Sequence, residues 1–152
     1  PSVFVTSFFP NLIQKFKEGR YEYYNSCLKL FKLLFVISLT IAIFFTFFGN
    51  FLISFLYGKQ FIDAVKSLKI SIFTGVFVFW GVAAGNMLVI ENLNKHNLIK
   101  SLQGLVLNIV LNLILIPKYG INGAAFATLI SQFYASYMYY FFFKSSTLAT
   151  FL

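Results

Sequence analysis

Few residues of this chain have side chains suited to covalent chemistry. The 152 residues include four carboxylates and one histidine, at Glu18, Glu22, Asp63, Glu91 and His96. All four carboxylates lie outside the centres of the apolar runs, so no pair is placed for general acid–base catalysis. The spacing suggests neither a Ser-His-Asp set nor a phosphate-binding glycine loop, and the single cysteine has no partner for a disulfide or a cysteine-based metal site. We therefore expect a protein without enzymatic activity, cofactor or metal.

The composition is typical of a membrane protein. Hydrophobic residues make up 59% of the chain and charged residues only 11%, whereas soluble domains carry about 25% charged residues. Twelve Lys and Arg against four Asp and Glu give a formal charge of +8, which in a soluble protein would suggest nucleic-acid binding. Because these bases flank the apolar runs, we interpret them as topology signals and expect no nucleic-acid partner.

The apolar runs predict membrane-spanning helices, each of which needs about 20 residues, with roughly 17 to 25 tolerated. Stretches without any charge cover 1–14, 33–58, 70–90, 101–117 and 119–143. The third full span can begin before Lys100, because a lysine side chain can extend its amine to the headgroups. We predict an all-α integral membrane bundle in a single transmembrane region, 1–152, with one partial span at about 1–14 and four full spans at about 33–56, 70–90, 97–117 and 121–143.

Basic residues are divided unevenly between the two ends of these spans. Eight belong to the first, third and last connectors, and they are Lys15, Lys17, Arg20, Lys29, Lys32, Lys95, Lys100 and Lys144. Four belong to the opposite side, and they are Lys59, Lys66, Lys69 and Lys118. The positive-inside rule therefore places the first set and the C-terminus in the cytoplasm. An aromatic belt at the end of the last span is expected from Tyr134, Tyr137, Tyr139 and Tyr140.

Small residues at helical spacing predict the faces along which the helices pack. No hydrophobic force drives one helix against another in lipid, so close approach relies on small side chains. The last span carries four small residues on one ridge, namely Gly123, Ala127, Ser131 and Ala135. The 70–90 span carries two, Gly81 and Gly85. We assign these six residues to helix packing, while a lining role along a substrate passage is the alternative.

Polar side chains within the spans need a partner or water at depth. Four amides stand out as candidate substrate-binding residues, namely Asn86, Asn108, Asn112 and Gln132. On the 97–117 span, Asn108 and Asn112 continue a stripe of polar and small residues that begins with Ser101 and Gly104. Hydrogen bonding between helices is one interpretation of this pattern, and a hydrated substrate cavity is the other.

Three local patterns, in the same order and at the same spacing, resemble landmarks of bacterial polysaccharide flippases. The first is Phe9-Pro10-Asn11-Leu12, followed by Gly19, and the second is FLYGKQFIDA at 55–64. The third and most specific is NLILIPKYGINGAAFAT at 112–128. The resemblance covers nearly the whole chain. It indicates the C-terminal part of an O-antigen or capsule repeat-unit flippase, in the superfamily of multidrug, oligosaccharidyl-lipid and polysaccharide exporters.

The resemblance implies a transporter of two helical bundles in the bacterial inner membrane. Such a protein would move undecaprenyl-pyrophosphate-linked repeat units across the membrane by alternating access, with a cationic cavity meeting the pyrophosphate. The partial span would be helix eight and the full spans helices nine to twelve, so the partners would be membrane lipids, the lipid-linked oligosaccharide and the N-terminal bundle of the same protein. Lys15 and Lys17 are candidate phosphate contacts by this analogy, and inside-positive anchors are the alternative. Since the chain starts at Pro1 without a signal segment, we expect it to begin inside a larger protein.

Two other functions remain open for such a segment. A cation-coupled multidrug exporter of the same superfamily would be favoured by acidic residues inside the membrane, and these spans hold none. A membrane polysaccharide polymerase would need a large outward loop with catalytic arginines. The longest connector, 15–32, is assigned to the inside by its charge.

Overall fold

The computed structural model describes residues 2–62 and 64–142, with the backbone alone at 141 and 142. The described part consists of helices joined by short turns and contains no strand, which confirms the all-α prediction. The expected end of the last span at Phe143, Lys144 and the C-terminus lie outside the described residues. The elements are α1 (Ser2–Glu18), α2 (Arg20–Leu56), a 3-10 turn (Lys59–Phe61), α3 (Ala64–Ile90), α4 (Asn94–Phe133), a π-helical turn (Tyr134–Met138) and α5 (Tyr139–Phe142).

Three helices in the described residues are long and apolar enough to cross a membrane: Arg20–Leu56, Ala64–Ile90 and Asn94–Met138. The sequence led us to expect four full spans and one partial span. The count differs because the predicted spans 97–117 and 121–143 are joined across a kink at Gly120, and Asn94–Met138 counts there as one long helix. The residues 20–32, which we interpreted as part of a connector, form the first turns of α2.

The long element α4 reverses direction at Gly120. This glycine has φ 56° and ψ −135°, a backbone conformation that residues with a Cβ rarely adopt. The Asn108 amide nitrogen lies 3.1 Å from the Ser131 hydroxyl oxygen, although 23 residues separate the two. A straight helix would hold residues that far apart at about 34 Å. The element is therefore a helical hairpin, with an outgoing arm at 94–119 and a returning arm at 121–138.

The buried core lies where α1, the start of α2, the end of α3 and α5 meet. Tyr23, Cys27 and Leu34 of α2 are almost fully buried there, together with Met87 and Leu88 of α3. Much of the later part of α2 exposes large apolar side chains, such as Phe47 and Phe55. Exposed apolar side chains are expected on a helix surrounded by lipid, because hydrocarbon is as apolar as they are.

Candidate functional site

A polar cavity of about 470 Å³ lies between α3 and the two arms of the hairpin. The α3 wall is formed by Val78, Gly81 and Val82. Polar side chains from the hairpin and the π-helical turn provide hydroxyl, amide and amine groups, and they are Asn97, Lys100, Ser101, Asn108, Thr128, Ser131, Gln132 and Ser136. The cavity is therefore a partly open cleft in which hydroxyl, amide and amine groups lie among apolar side chains.

Lys100 is the buried cation of this site. Its side chain is only 5% exposed, and its Nζ donates hydrogen bonds to the Tyr140 hydroxyl at 2.7 Å and to the Gly81 carbonyl at 3.4 Å. The amine also lies 5.2 Å from the centre of the Tyr140 ring, within the range of a cation–π contact. Over 2–62 and 64–142, no carboxylate forms an ion pair with Lys100.

The expectation that Lys100 extends to the headgroups was wrong. The residue lies on the side of the outgoing arm that faces α3, so its amine turns inward and meets Tyr140 instead of the lipid surface. The prediction of an aromatic belt was wrong for Tyr139 and Tyr140, because their side chains also turn inward. Tyr139 and Tyr140 are buried, and the Tyr139 hydroxyl lies 3.1 Å from His96 Nδ1.

Two glycines of α3 make room for the polar groups at one end of the cavity. A Cβ at Gly85 would lie 3.2 Å from Asn97 Oδ1 and 3.7 Å from Lys100 Nζ, so the amide and the amine converge above this glycine. A Cβ at Gly81 would collide with the Ser136 side chain. Both positions that we assigned to helix packing therefore lie directly against polar side chains, and Gly81 also lines the cavity.

The small residues of the returning arm lie against the outgoing arm or are buried. Gly123 leaves no space for a Cβ next to the Leu115 backbone. Ala135 lies opposite Gly104, where an added Cβ would be 2.9 Å from the Ala135 Cβ. Ala127 is fully buried. Ser131 accepts the hydrogen bond from Asn108 that links the arms.

The four candidate amides separate into two groups. Asn108 and Gln132 line the cavity, and Asn108 also approaches Thr128 at 3.4 Å. Asn112 donates to Asn108 Oδ1 at 2.9 Å but borders a different, apolar depression beside Pro117. Asn86 donates to the Val82 carbonyl of its own helix and does not line the cavity.

Lys15 and Lys17 lie on α1 and do not line the cavity. The Lys15 amine contacts the Glu18 carboxylate at 2.6 Å and reaches Glu22 at 4.0 Å. Hydrogen bonding to Glu18 raises the pKa of Lys15, and the same bond lowers the pKa of Glu18. The structure thus pairs Lys15 with carboxylates on the surface.

The pair formed by Lys100 and Tyr140 was not predicted from the sequence. A signal for Lys100 was present, because it directly precedes Ser101, the first residue of the polar and small stripe that we identified on the outgoing arm. No comparable signal existed for Tyr140, which reaches Lys100 only because the chain reverses. Within the described residues, no group of three His, Cys, Asp or Glu side chains could hold a metal ion.

Comparisons with known proteins give two distant relatives. The chain is 31% identical over 138 residues to the capsular polysaccharide biosynthesis protein CapF of Staphylococcus aureus. This alignment covers 90% of this chain and 35% of that protein. It is 27% identical over 107 residues to the uncharacterized membrane protein MJ1068 of Methanocaldococcus jannaschii. This second alignment covers 69% of this chain and 21% of that protein.

The chain thus spans about a third of the length of the capsular protein and about a fifth of the archaeal one. No protein-family model matches it, and no solved structure matches it. The three apolar helices and the similarity to a membrane protein together indicate a multi-pass membrane protein.

Proposed function

We propose that this chain is the C-terminal segment of a flippase that moves lipid-linked oligosaccharides across the bacterial inner membrane. The observation that carries the proposal is the cavity between α3 and the two arms of the hairpin, into which hydroxyl and amide side chains project. Sugars present many hydroxyl groups, and each must find a hydrogen-bond partner when it leaves water. A cavity that carries such side chains between membrane-spanning helices would supply these partners within the bilayer.

Sequence similarity supports a role in polysaccharide biosynthesis. The aligned region covers 90% of this chain, and the relative is named for capsular polysaccharide biosynthesis. The proline and glycine landmarks at 9–12, 55–64 and 112–128 resemble those of polysaccharide flippases. Together these favour membership of the superfamily of multidrug, oligosaccharidyl-lipid and polysaccharide exporters.

The hairpin supports a topology with four full spans and one partial span. Counted separately, the arms provide two crossings, because about 20 residues of helix cover the hydrocarbon core. With α2 and α3 they complete the four spans, and α1 forms the end of a fifth. In the proposed transporter these five helices belong to the second of two bundles, the C-terminus is cytoplasmic, and the N-terminal bundle of the same protein packs beside them.

Translocation as proposed requires binding and conformational change but no covalent chemistry. Asn108 and Gln132 are the candidate sugar contacts that line the cavity. Substrate binding by the other four candidates stays a prediction from the sequence. They would contact substrate outside this cavity, and they are Asn86, Asn112, Lys15 and Lys17. The partners would be membrane lipids and a polyprenyl-pyrophosphate-linked oligosaccharide.

Deletion of the full-length gene in the source bacterium tests the flippase proposal. We expect loss of surface polysaccharide and accumulation of lipid-linked repeat units on the inner leaflet, measured by extraction and by accessibility to an impermeant glycosidase. A polymerase would instead leave single repeat units accessible from outside. A multidrug exporter would leave the polysaccharide unchanged and alter drug sensitivity, and either result would refute the flippase.

Complementation with point variants links the cavity to this activity. Gln132→Leu removes a polar contact of about 1 kcal/mol, which corresponds to about fivefold weaker binding. We expect a matching fall in surface polysaccharide at low expression. Gln60→Leu is the matched control, because Gln60 is exposed and lies outside the cavity. Equal activity of the two variants would argue against the cavity as the sugar site.

A further inference from the structure

A π-helical turn at Tyr134–Met138 interrupts the returning arm just before two adjacent tyrosines. The Tyr139 N–H bonds to the carbonyl of Tyr134, five residues earlier, whereas in an α-helix it would bond to that of Ala135. Such a turn holds one residue more than the α-helical turn it replaces, and single π-helical turns within α-helices are frequent at functional sites. The residues after Met138 therefore lie one position behind the places that a continuous α-helix would give them.

The two tyrosines contact different polar side chains of the outgoing arm. The Tyr140 hydroxyl accepts a hydrogen bond from Lys100 Nζ at 2.7 Å, and the Tyr139 hydroxyl lies 3.1 Å from His96 Nδ1. When the residues after the turn advance by one position, Tyr139 takes the place of Tyr140. Lys100 then meets the preceding phenol of the sequence, so the pair of tyrosines supplies an acceptor in either arrangement.

We propose that this end of the hairpin switches between two helical registers, the observed one with a π-helical turn and a second with a continuous α-helix. In the second register every residue after the turn advances by one position, which rotates it by about 100° around the helix axis and moves it by about 1.5 Å. Tyr139 then replaces Tyr140 as the partner of Lys100. His96 in turn faces Met138. A buried charge without a hydrogen bond is costly, and this exchange keeps the amine bonded in both registers.

The π-helical turn also forms part of the cavity wall. Ala135 and Ser136 line the cavity, and Gly81 of α3 leaves the space that the Ser136 side chain occupies in the observed register. Conversion of the turn to α-helix rotates these wall residues and reshapes this end of the cavity. A use of that change in transport rests on the proposed function, whereas the two registers rest on the helix geometry.

Deletion of Met138 tests whether the extra residue is dispensable. The shortened chain can continue as an α-helix while both tyrosines keep their present places, so the full-length protein in detergent should melt close to the wild-type temperature. Deletion of Ile130 is the matched control, because it removes an apolar residue of the same arm with similar exposure, 41% against 39% for Met138. That deletion displaces Ser131 relative to Asn108, its hydrogen-bond partner, and should lower the melting temperature clearly.

Fluorine NMR detects the two registers directly when fluorotyrosine replaces Tyr140 alone in the full-length protein. Deletion of Met138 leaves only the register in which Tyr140 meets Lys100, so this variant should give one resonance without exchange. The wild type should give a second resonance, or relaxation dispersion from exchange on the microsecond-to-millisecond timescale.

The two tyrosines should also compensate for each other in stability. Tyr140→Phe leaves Tyr139 to bond Lys100 in the second register, and Tyr139→Phe leaves Tyr140 to bond it in the first. The double variant has no phenol for the amine in either register. Its loss of unfolding free energy should therefore exceed the sum of the two single losses, which is the non-additivity expected of coupled residues.

A single wild-type resonance without dispersion would overturn the switch. A Met138 deletion as unstable as the Ile130 deletion would also contradict it, and so would additive losses in the double phenylalanine variant, a result that needs no deletion to fold. These measurements do not depend on transport. Two registers in a protein whose gene deletion leaves the surface polysaccharide intact would refute the flippase and keep the switch.

Discussion

The amine of Lys100 donates a hydrogen bond to the phenol oxygen of Tyr140 at 2.7 Å, across 40 residues of chain. Tyr140 is 1% exposed and follows the π-helical turn at the end of the returning arm. One helical turn before Lys100, His96 contacts the neighbouring Tyr139 at 3.1 Å. These two polar contacts join the open end of the hairpin, opposite the reversal at Gly120.

Tyr140→Phe should destabilise the protein by about 1–3 kcal/mol, because it leaves a buried amine without its shortest hydrogen bond. Thermal unfolding of the purified full-length protein in detergent measures this effect. Tyr119→Phe is the control, since Tyr119 is 61% exposed. Equal melting temperatures for the two variants would show that the phenol is dispensable.

Gly104→Ala should loosen the hairpin, because its new Cβ would lie 2.9 Å from the Ala135 Cβ. Overpacking of this kind typically costs about 1–3 kcal/mol. Gly75→Ala is the matched control within another helix, as nothing lies within 4 Å of a Cβ there. We expect a lower melting temperature for the first variant and an unchanged or slightly higher one for the second. The reverse order would contradict the packing of the two arms.

Gly120→Ala should destabilise the reversal by about 1–3 kcal/mol, since φ of 56° with ψ of −135° is strained for any residue with a side chain. No atom lies within 4 Å of a Cβ at this position, so the effect would come from the backbone alone. The free energy of unfolding in a denaturing detergent titration provides the measurement. The nearby exposed Lys118→Ala should change it little, and an equally small change for Gly120→Ala would rule out the strained reversal.

Asn108 and Ser131 should show a measurable coupling energy across the hairpin. Their side chains share a 3.1 Å hydrogen bond, and interhelical hydrogen bonds in a membrane protein average about 0.6 kcal/mol. A double-mutant cycle of Asn108→Leu and Ser131→Ala, read by unfolding in detergent, measures the coupling. Asn86→Leu with Ser131→Ala is the control cycle, because Asn86 bonds within its own helix. We expect the changes in unfolding free energy to be additive in the control cycle and non-additive in the cycle of Asn108→Leu and Ser131→Ala.

Much of the fold could be predicted from local features of the sequence. The charge-free run at 33–58 lies almost wholly in α2, and the run at 70–90 lies in α3. Helix boundaries were less predictable, because the charged residues at 20–32 are compatible both with a connector and with the amphipathic start of a long helix. Pro117 and Gly120 marked the point at which the chain turns back, and the backbone at Gly120 leaves the helical conformation there.

Composition and the length of the apolar runs alone determined that this protein is helical and built for a membrane, because both properties depend on residues close together in the chain. Tertiary structure alone decided that Lys100 turns away from the lipid surface. Its direction depends on which side of the outgoing arm faces α3, and on a tyrosine 40 residues away. No periodicity in a single helix encodes that contact, since it exists only after the hairpin closes and brings both arms against α3.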